Sequence, residues 1–257
     1  MPTRDRAGGG FLRWVELDPA DTAGYPFTVP VVRGLRRLGR LDFDPAVTFL
    51  VGDNGSGKST LVEAIAVAAG FNLEGGSRHF NFATQSSEAA LASYLRVVRG
   101  TTKPRTGYFL RAESFFNVVT EIDRLEVADQ YGGRSLHERS HGEAFLDLAI
   151  HRFRPRGLYL LDEPEAALSV HGCLAIVARI RDLAAAGSQF VVATHSPILL
   201  AVPGAKILQI DAEGTIAEVG YDEAQPVVLT RSFLDDPQRY LHYLFRDDDG
   251  LFQDDSG

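Results

Sequence analysis

The chain has 257 residues, 45% of them hydrophobic, enough for one large domain with its own core. A formal net charge of −8 argues against a general nucleic-acid coat, and a single cysteine, Cys173, cannot make an internal disulfide. No apolar run reaches the roughly 18 residues of a membrane span, and the start, MPTRDRAGGGFLRW, lacks a signal-peptide stretch, so a cytoplasmic protein is expected.

The first informative segment is VTFLVGDNGSGKSTLVEAIAVAAG. Val47 to Val51 reads as a buried strand, and apolar spacing at Leu61, Ile65 and Ala68–Ala69 reads as a helix. Between them lies G-x-x-x-x-G-K-[ST], the Walker A phosphate loop, in the strand-loop-helix context it requires. Glycines let successive backbone N–H groups face a phosphate, and the helix adds its positive N-terminal end. Asn54, Gly55, Ser56, Gly57, Lys58, Ser59 and Thr60 are therefore the nucleotide-binding candidates. Lys58 suits the β- and γ-phosphates of ATP, and the Ser59 hydroxyl suits Mg²⁺.

Further on, SEAALASYLRVVRG reads as a helix. GLYLLDEPEAAL then gives a strand, Leu158 to Leu161, ending in Asp162-Glu163, a Walker B pattern. Carboxylates at the C-terminal end of a parallel strand emerge where open α/β sheets bind ligands. Asp162 would hold Mg²⁺ through water and Glu163 would polarise the attacking water; two acids ending a strand before Pro164 is the bland alternative. A helix follows, about Val170 to Ala186, then a strand, Phe190 to Ala193, ending in Thr194-His195-Ser196. A strand-capping histidine is more often structural, but the position of His195 favours a γ-phosphate contact. AKILQID and GTIAEVGY read as a hairpin around Glu213-Gly214, and DDPQRYLHYLF as a helix with Asp236 at its N-cap and Pro237 at its first position.

One unit over 1–257 is expected: a nucleotide-binding core near 29–75 and 144–230, and a mostly helical lobe near 76–143. A C-terminal helix near 236–246 and a solvated acidic tail, 247–257, complete it. Three basic groupings stand out: Arg33/Arg36/Arg37/Arg40, Arg96/Arg99/Lys103/Arg105 and Arg152/Arg154/Arg156. Solvated faces or interface pairing explain them better than nucleic acid does, given the overall charge.

The ordered set GDNGSGKST, RSHGEAF, LYLLDEP, EAALS (ending at Ser169) and VVATHSP resembles the ATP-binding-cassette (ABC) class of ATPases. It is most similar to the small RecF-like and SMC-like members, called AAA-family ATPases of the ABC type, and the likeness runs over about residues 25 to 245. The resemblance implies an α/β P-loop NTPase fold with a RecA-like core sheet and an inserted helical lobe. It also implies Mg²⁺-dependent ATP hydrolysis, and a head-to-tail homodimer formed on ATP binding that drives an unknown partner. The signature Ser140-His141-Gly142-Glu143 would cap the nucleotide held by the other protomer. Ser140 offers a hydroxyl, Gly142 close backbone approach, and the helix from Glu143 its N-terminal end.

The sequence departs from the class at three places. Arg139 stands where an apolar residue is common, and Glu143 where transporters carry Gln. The loop that should supply a glutamine to Mg²⁺ offers Arg111 and Glu113 instead; Gln85 is a remote candidate. Glu113 could reach the metal through water, and Arg111 could reach phosphate or pair with Glu113. Tyr25 and Phe27 are candidate adenine platforms and equally good core residues. Alternative roles are the ATP-binding subunit of an ABC transporter and the ATPase of a DNA-repair or phage-defence module. A non-hydrolysing nucleotide sensor is disfavoured because Asp162 and Glu163 are both present.

Overall fold

Continuous apolar runs, rather than alternating ones, mark the central strands, and three strands are buried along their whole length. The computed structural model describes residues 10–18, 24–71, 87–111 and 141–246. Its elements begin with β1 (Leu12–Leu17), α1 (Pro30–Leu38), β2 (Arg40–Asp42), β3 (Val47–Gly52) and α2 (Lys58–Ala68). Next come α3 (Ser87–Tyr94), β4 (Leu95–Arg99), β5 (Thr106–Arg111), α4 (His141–Arg152) and β6 (Gly157–Asp162). A 3-10 turn, Pro164–Ala167, leads into α5 (Val170–Ala185), β7 (Gln189–Ala193), α6 (Pro197–Leu200) and β8 (Lys206–Ile210). The described chain closes with β9 (Ile216–Val219), α7 (Gln225–Asp235) and α8 (Pro237–Arg246).

Six strands form one sheet in the order β5-β6-β7-β3-β8-β9, parallel except for β9, which returns from β8 as the expected hairpin. Alternate side chains of these strands feed two cores. Phe49, Tyr159, Leu161, Phe190 and Val192 pack with Phe145 and Leu148 of α4 and Ile176 and Ile180 of α5. Leu50, Phe109, Leu160 and Val191 pack on the other face with Leu61 and Ile65 of α2 and Val31 and Leu35 of α1. The α/β class expected from the sequence is thus the one observed. No described helix is long and apolar enough to cross a membrane.

Two expectations need correction. The stretch read as one helix, SEAALASYLRVVRG, turns from α3 to β4 at Tyr94–Leu95, because two adjacent valines favour a strand and β1 offers a free edge. β4 pairs antiparallel with β1 through Val15↔Val97 and Leu17↔Leu95, and β2 completes a three-stranded sheet. Second, the described part of the stretch assigned to a mostly helical lobe holds α3 and the start of α4 but also β4 and β5, and β5 is an edge strand of the main sheet. The core therefore extends beyond 29–75 and 144–230, forward to β1 and into 95–111. The remainder of that lobe, 76–86 and 112–140, lies outside the described residues, as does the tail, 247–257. The last helix begins as expected: the Arg239 N–H donates to Asp236 Oδ1 at 3.1 Å.

A buried amide helps fasten the small sheet to the large one. Gln189, at the start of β7, accepts from the Leu12 N–H (2.8 Å) and donates to the Leu12 carbonyl (2.8 Å) and the Asp44 carbonyl (2.9 Å). A glutamine can serve all three because it carries donor and acceptor on one planar group. Gln189→Leu would leave those backbone groups buried and unpaired. It should lower the unfolding free energy by about 2–4 kcal/mol in urea titrations, whereas an exposed control such as Arg181→Gln should change it by less than about 0.5 kcal/mol.

Candidate nucleotide site

The parallel register aligns the ends of four strands. Arg111 of β5 pairs with Asp162 of β6, Asp162 with Ala193 of β7, and Ala193 with Leu50 of β3. Each motif thus leaves the sheet at the same edge: the phosphate loop after Gly52, the acids at 162–163, and Thr194-His195 after β7.

The loop between β3 and α2 turns through Gly55 (φ 80°) and Gly57 (φ 90°), both left-handed. A side chain at Gly57 would be strained and would lie 2.8 Å from Val31 Cγ1, so the sequence has glycine there. Lys58 is buried, and its Nζ donates to the carbonyls of Gly52 (2.9 Å) and Asp53 (3.1 Å). Burial pulls its pKa down, opposed by the carboxylates of Glu163, Asp162, Asp53 and Glu165. Asp53 in turn accepts from Gln225 Nε2 at 3.0 Å, which ties the loop to the start of α7. Asn54 and Gly55 are exposed at the tip; Ser59 and Thr60 lie in the first turn of α2.

Asp162 is buried at the end of β6 and hydrogen-bonded by the Ser59 hydroxyl. Burial first, and then the charge of Glu163, push its pKa up to about 6, while Ser59, Arg111 and Lys58 act the other way. Glu163 adopts a left-handed backbone (φ 47°, ψ 50°), unusual for a residue with a side chain, and its N–H donates to the Ala193 carbonyl at 3.0 Å. Glu163 Oε1 stands 3.6 Å from His195 Nε2. Four side-chain atoms around the loop are buried without a hydrogen-bond partner: Ser56 Oγ, Asp162 Oδ1, Glu165 Oε2 and His195 Nε2. Unpaired buried polar atoms are costly, and their clustering beside a phosphate loop fits a site that binds a polar ligand.

Ser59 and Asp162 also fit Mg²⁺. Among the described residues no group of three His, Cys, Asp or Glu side chains could hold a metal ion. An Mg²⁺ site in this class of chemistry needs only one or two protein oxygens, with phosphate oxygens and water completing the octahedron. A hydroxyl and a carboxylate in contact, one carboxylate oxygen unpartnered, meet that need.

The remaining candidates divide. Arg111 forms an ion pair with Glu63 of α2 at 2.9 Å. Glu63 is almost fully buried, and it takes the place of the expected partner Glu113. An acid inside the apolar run Leu61 to Ala66 is the signal that could have found it, since such acids are buried only when paired. Glu165 is a second omission: its Oε1 accepts from Thr194 Oγ1 (2.7 Å) and the His195 N–H (2.6 Å), fixing the histidine's backbone. Ser169 is the N-cap of α5, its hydroxyl accepting from the Gly172 N–H at 3.2 Å. Glu113, Gln85 and Ser140 lie outside the described residues. His141 opens α4, Glu143 is exposed, and a side chain at Gly142 would meet the Ala167 carbonyl at 2.8 Å. The close approach at Gly142 is therefore to the turn that follows Glu163 in the same chain. Tyr25 is exposed, and Phe27 packs edge-on against Tyr94 at 5.1 Å.

The raised pKa of Asp162 has a sign that can be tested. The folded chain holds this proton more tightly than the unfolded chain, so the resulting stability is full below about pH 4 and is lost as pH rises through about 6. In metal-free buffer at pH 8, Asp162→Asn should be more stable than wild type by on the order of 2 kcal/mol, with no gain at pH 4. Chemical unfolding at the two pH values measures it; equal stabilities at pH 8 would show that Asp162 carries no such cost.

The sequence matches a family model described as an AAA domain over residues 32–124, and another described as "AAA domain, putative AbiEii toxin, Type IV TA system" over residues 125–201. It is 30% identical over 229 residues to the cytochrome c biogenesis ATP-binding export protein CcmA of Rhodospirillum rubrum, an alignment covering 75% of this chain and 91% of that protein. Similar solved structures include the SMC head domain from Thermotoga maritima, at 17% identity over 81% of this chain and 98% of that one, with a TM-score of 0.42. A nucleotide-free ATP-binding cassette from an ABC transporter is 15% identical over 88% of this chain and 96% of that one, with a TM-score of 0.46. With the phosphate loop, the acidic strand end and the strand-end histidine meeting at one sheet edge, and a relative of this identity and coverage, the chain belongs to the ABC-type ATPases.

Proposed function

We propose that this protein hydrolyses ATP with Mg²⁺ at the site around Lys58, and that two copies close head-to-tail on ATP to drive a partner protein. The observation that carries the reading is Asp162: a buried carboxylate in contact with the phosphate-loop serine, one oxygen unpartnered, its neighbour Glu163 turned out of the strand by a left-handed backbone.

In this reading Lys58 leaves the Gly52 and Asp53 carbonyls for the β- and γ-phosphates, joined by the backbone N–H groups of the loop and of the first turn of α2. Ser59 and Asp162 hold Mg²⁺, which neutralises phosphate charge when bound. Glu163 accepts a proton from the water whose oxygen attacks the γ-phosphorus, while the bond to the β–γ bridging oxygen breaks. His195, held by Glu165 through its backbone and close to Glu163, donates a hydrogen bond to the γ-phosphate. Arg111 is anchored by Glu63 beside Asp162, and adds positive charge where the class has a glutamine. Ser140, His141, Gly142 and Glu143 of one copy close over the nucleotide of the other, with the start of α4 aimed at the γ-phosphate. The 30% identity to an ATP-binding export protein favours a second reading, in which the partner is a membrane subunit of an exporter. Co-purification with a membrane protein would select it.

Glu163→Gln keeps the shape and removes the base. Steady-state turnover should fall by about a hundredfold or more, and ATP should trap a dimer visible by light scattering. An unchanged turnover would assign the water to another group.

A mixing experiment tests the shared site. Ser140→Arg and Lys58→Ala should each be inactive alone, the first still binding ATP and the second not. Mixed in equal amounts they form a heterodimer with one intact composite site, and nucleotide-dependent heterodimer formation with partial recovery of turnover is expected. Wild-type hydrolysis by monomeric Ser140→Arg would remove the signature from the mechanism.

A further inference from the structure

Two of the three basic groupings in the sequence meet in space, at the sheet edge opposite the nucleotide site. Strands β5, β6 and β7 run parallel and start at Thr106, Gly157 and Gln189, so the turns before them gather at one edge while the phosphate loop lies at the other. Between these turns and the β1 ribbon lie two adjoining cavities of about 570 Å³ and 360 Å³, which share Phe11, Thr102 and Lys103 as walls. Arg105 and Arg156 line the first and Arg99 the second; among the described residues no acidic side chain lines either. Small-ligand sites span roughly 300–1,000 Å³.

Among the described residues these charges have no acidic partner, whereas several other arginines of the three groupings are engaged. Arg96 pairs with Glu16 (3.1 Å) and Asp18 (3.5 Å), Arg40 with Asp42 (3.1 Å), and Arg37 donates to the Glu213 carbonyl (2.8 Å). Arg99 donates one hydrogen bond to the Ala68 carbonyl at 3.2 Å, while the side chains of Lys103, Arg105 and Arg156 make no ion pair or hydrogen bond among the described residues. In a chain of net charge −8, a concave site whose described walls carry four cations and no anion is a local reversal of sign.

The backbone is also built to present them. The Arg105 N–H donates to the Arg156 carbonyl at 2.9 Å, which joins the β4–β5 turn to the α4–β6 turn. Arg156 is held left-handed (φ 58°), a conformation unfavourable for a residue with a side chain. Phe11 is fixed from both sides: Gln189 grips its neighbour Leu12, and its own carbonyl accepts from the Gly100 N–H at 3.1 Å. Guanidinium groups with idle donors on a preformed rim match phosphate oxygens, which they bind in pairs. The hydroxyls of Thr101 and Thr102 add donors, and Phe11 gives the floor an apolar spot.

We propose that this cleft is a second ligand site, separate from the ATP site, that takes a phosphate-bearing ligand of about mononucleotide size. Its chemistry recognises phosphate, whether of a small molecule or of a nucleic-acid strand. The test uses the full chain saturated with ADP and Mg²⁺, so that the phosphate loop is filled, and calorimetric titration with inorganic pyrophosphate or a short unphosphorylated single-stranded oligonucleotide. Wild type and Lys58→Ala should bind pyrophosphate alike, whereas Arg105→Gln/Arg156→Gln should bind about tenfold or more weakly. ATP turnover and melting temperature of the double variant should match wild type, since both side chains are exposed and unbonded. Oligonucleotide binding lost in the double variant, without pyrophosphate binding, would also support the site and name its source of phosphate as a nucleic-acid backbone. Failure of both probes to bind, or binding unaffected by the double substitution, or binding lost only in Lys58→Ala, would overturn the proposal.

Discussion

Asp162 ends a strand covered on both faces, so its carboxylate is held out of water a few atoms from a lysine held out of water by its own loop. That is a poor arrangement for stability and a good one for binding a phosphate and a cation. The rest of the site is arranged around it: Ser59 contacts it from α2, Arg111 stands in register beside it, and Glu163 leaves the strand immediately after it. The sheet makes this possible because parallel strands packed on both sides cannot slip; moving β6 by one residue would exchange the contents of the two cores.

Glu63, Arg111 and Glu165 form a support around the motif residues. Glu63 is carried by the same helix as Lys58 and Ser59 and reaches the end of β5, so the helix and the outer parallel strand move together. Glu165 takes both the Thr194 hydroxyl and the His195 N–H on one oxygen, which binds the turn after β6 to the turn after β7. Gln225 fixes Asp53 from α7. Each bond joins two elements that end at the same edge, and each is short-range and charge-assisted or buried, the conditions under which a polar bond holds geometry best.

The two edges of the sheet differ in character for one reason, strand direction. At the C-terminal edge the turns carry acids and a buried lysine; at the N-terminal edge they carry arginines and a lysine, with no acid among the described residues that line the cleft. Gln189 is the hinge of that second edge, since it ties the β1 ribbon to β7 and so brings Phe11 between the basic turns.

The residues that gather at the first edge were legible in the chain before it folded. A glycine-rich loop between a strand and a helix, and two acids closing a second strand, are local patterns whose meaning comes from backbone conformation within about ten residues. The strands β3, β6 and β7 were legible as mainly apolar runs, and the hairpin β8–β9 as two short strands around the Glu213-Gly214 turn. The pairings between residues far apart in the chain came from the assembled fold alone. Arg111 had Glu113 as its nearest candidate partner in sequence, yet takes Glu63, 48 positions back, because β5 lies at the edge where α2 passes. Leu95 to Arg99 continued a helical pattern until β1 gave it an edge to pair with, and edge pairing is a property of the assembled sheet. The basic residues of two turns are about 50 positions apart, and nothing local reveals that parallel strands bring them to one cleft.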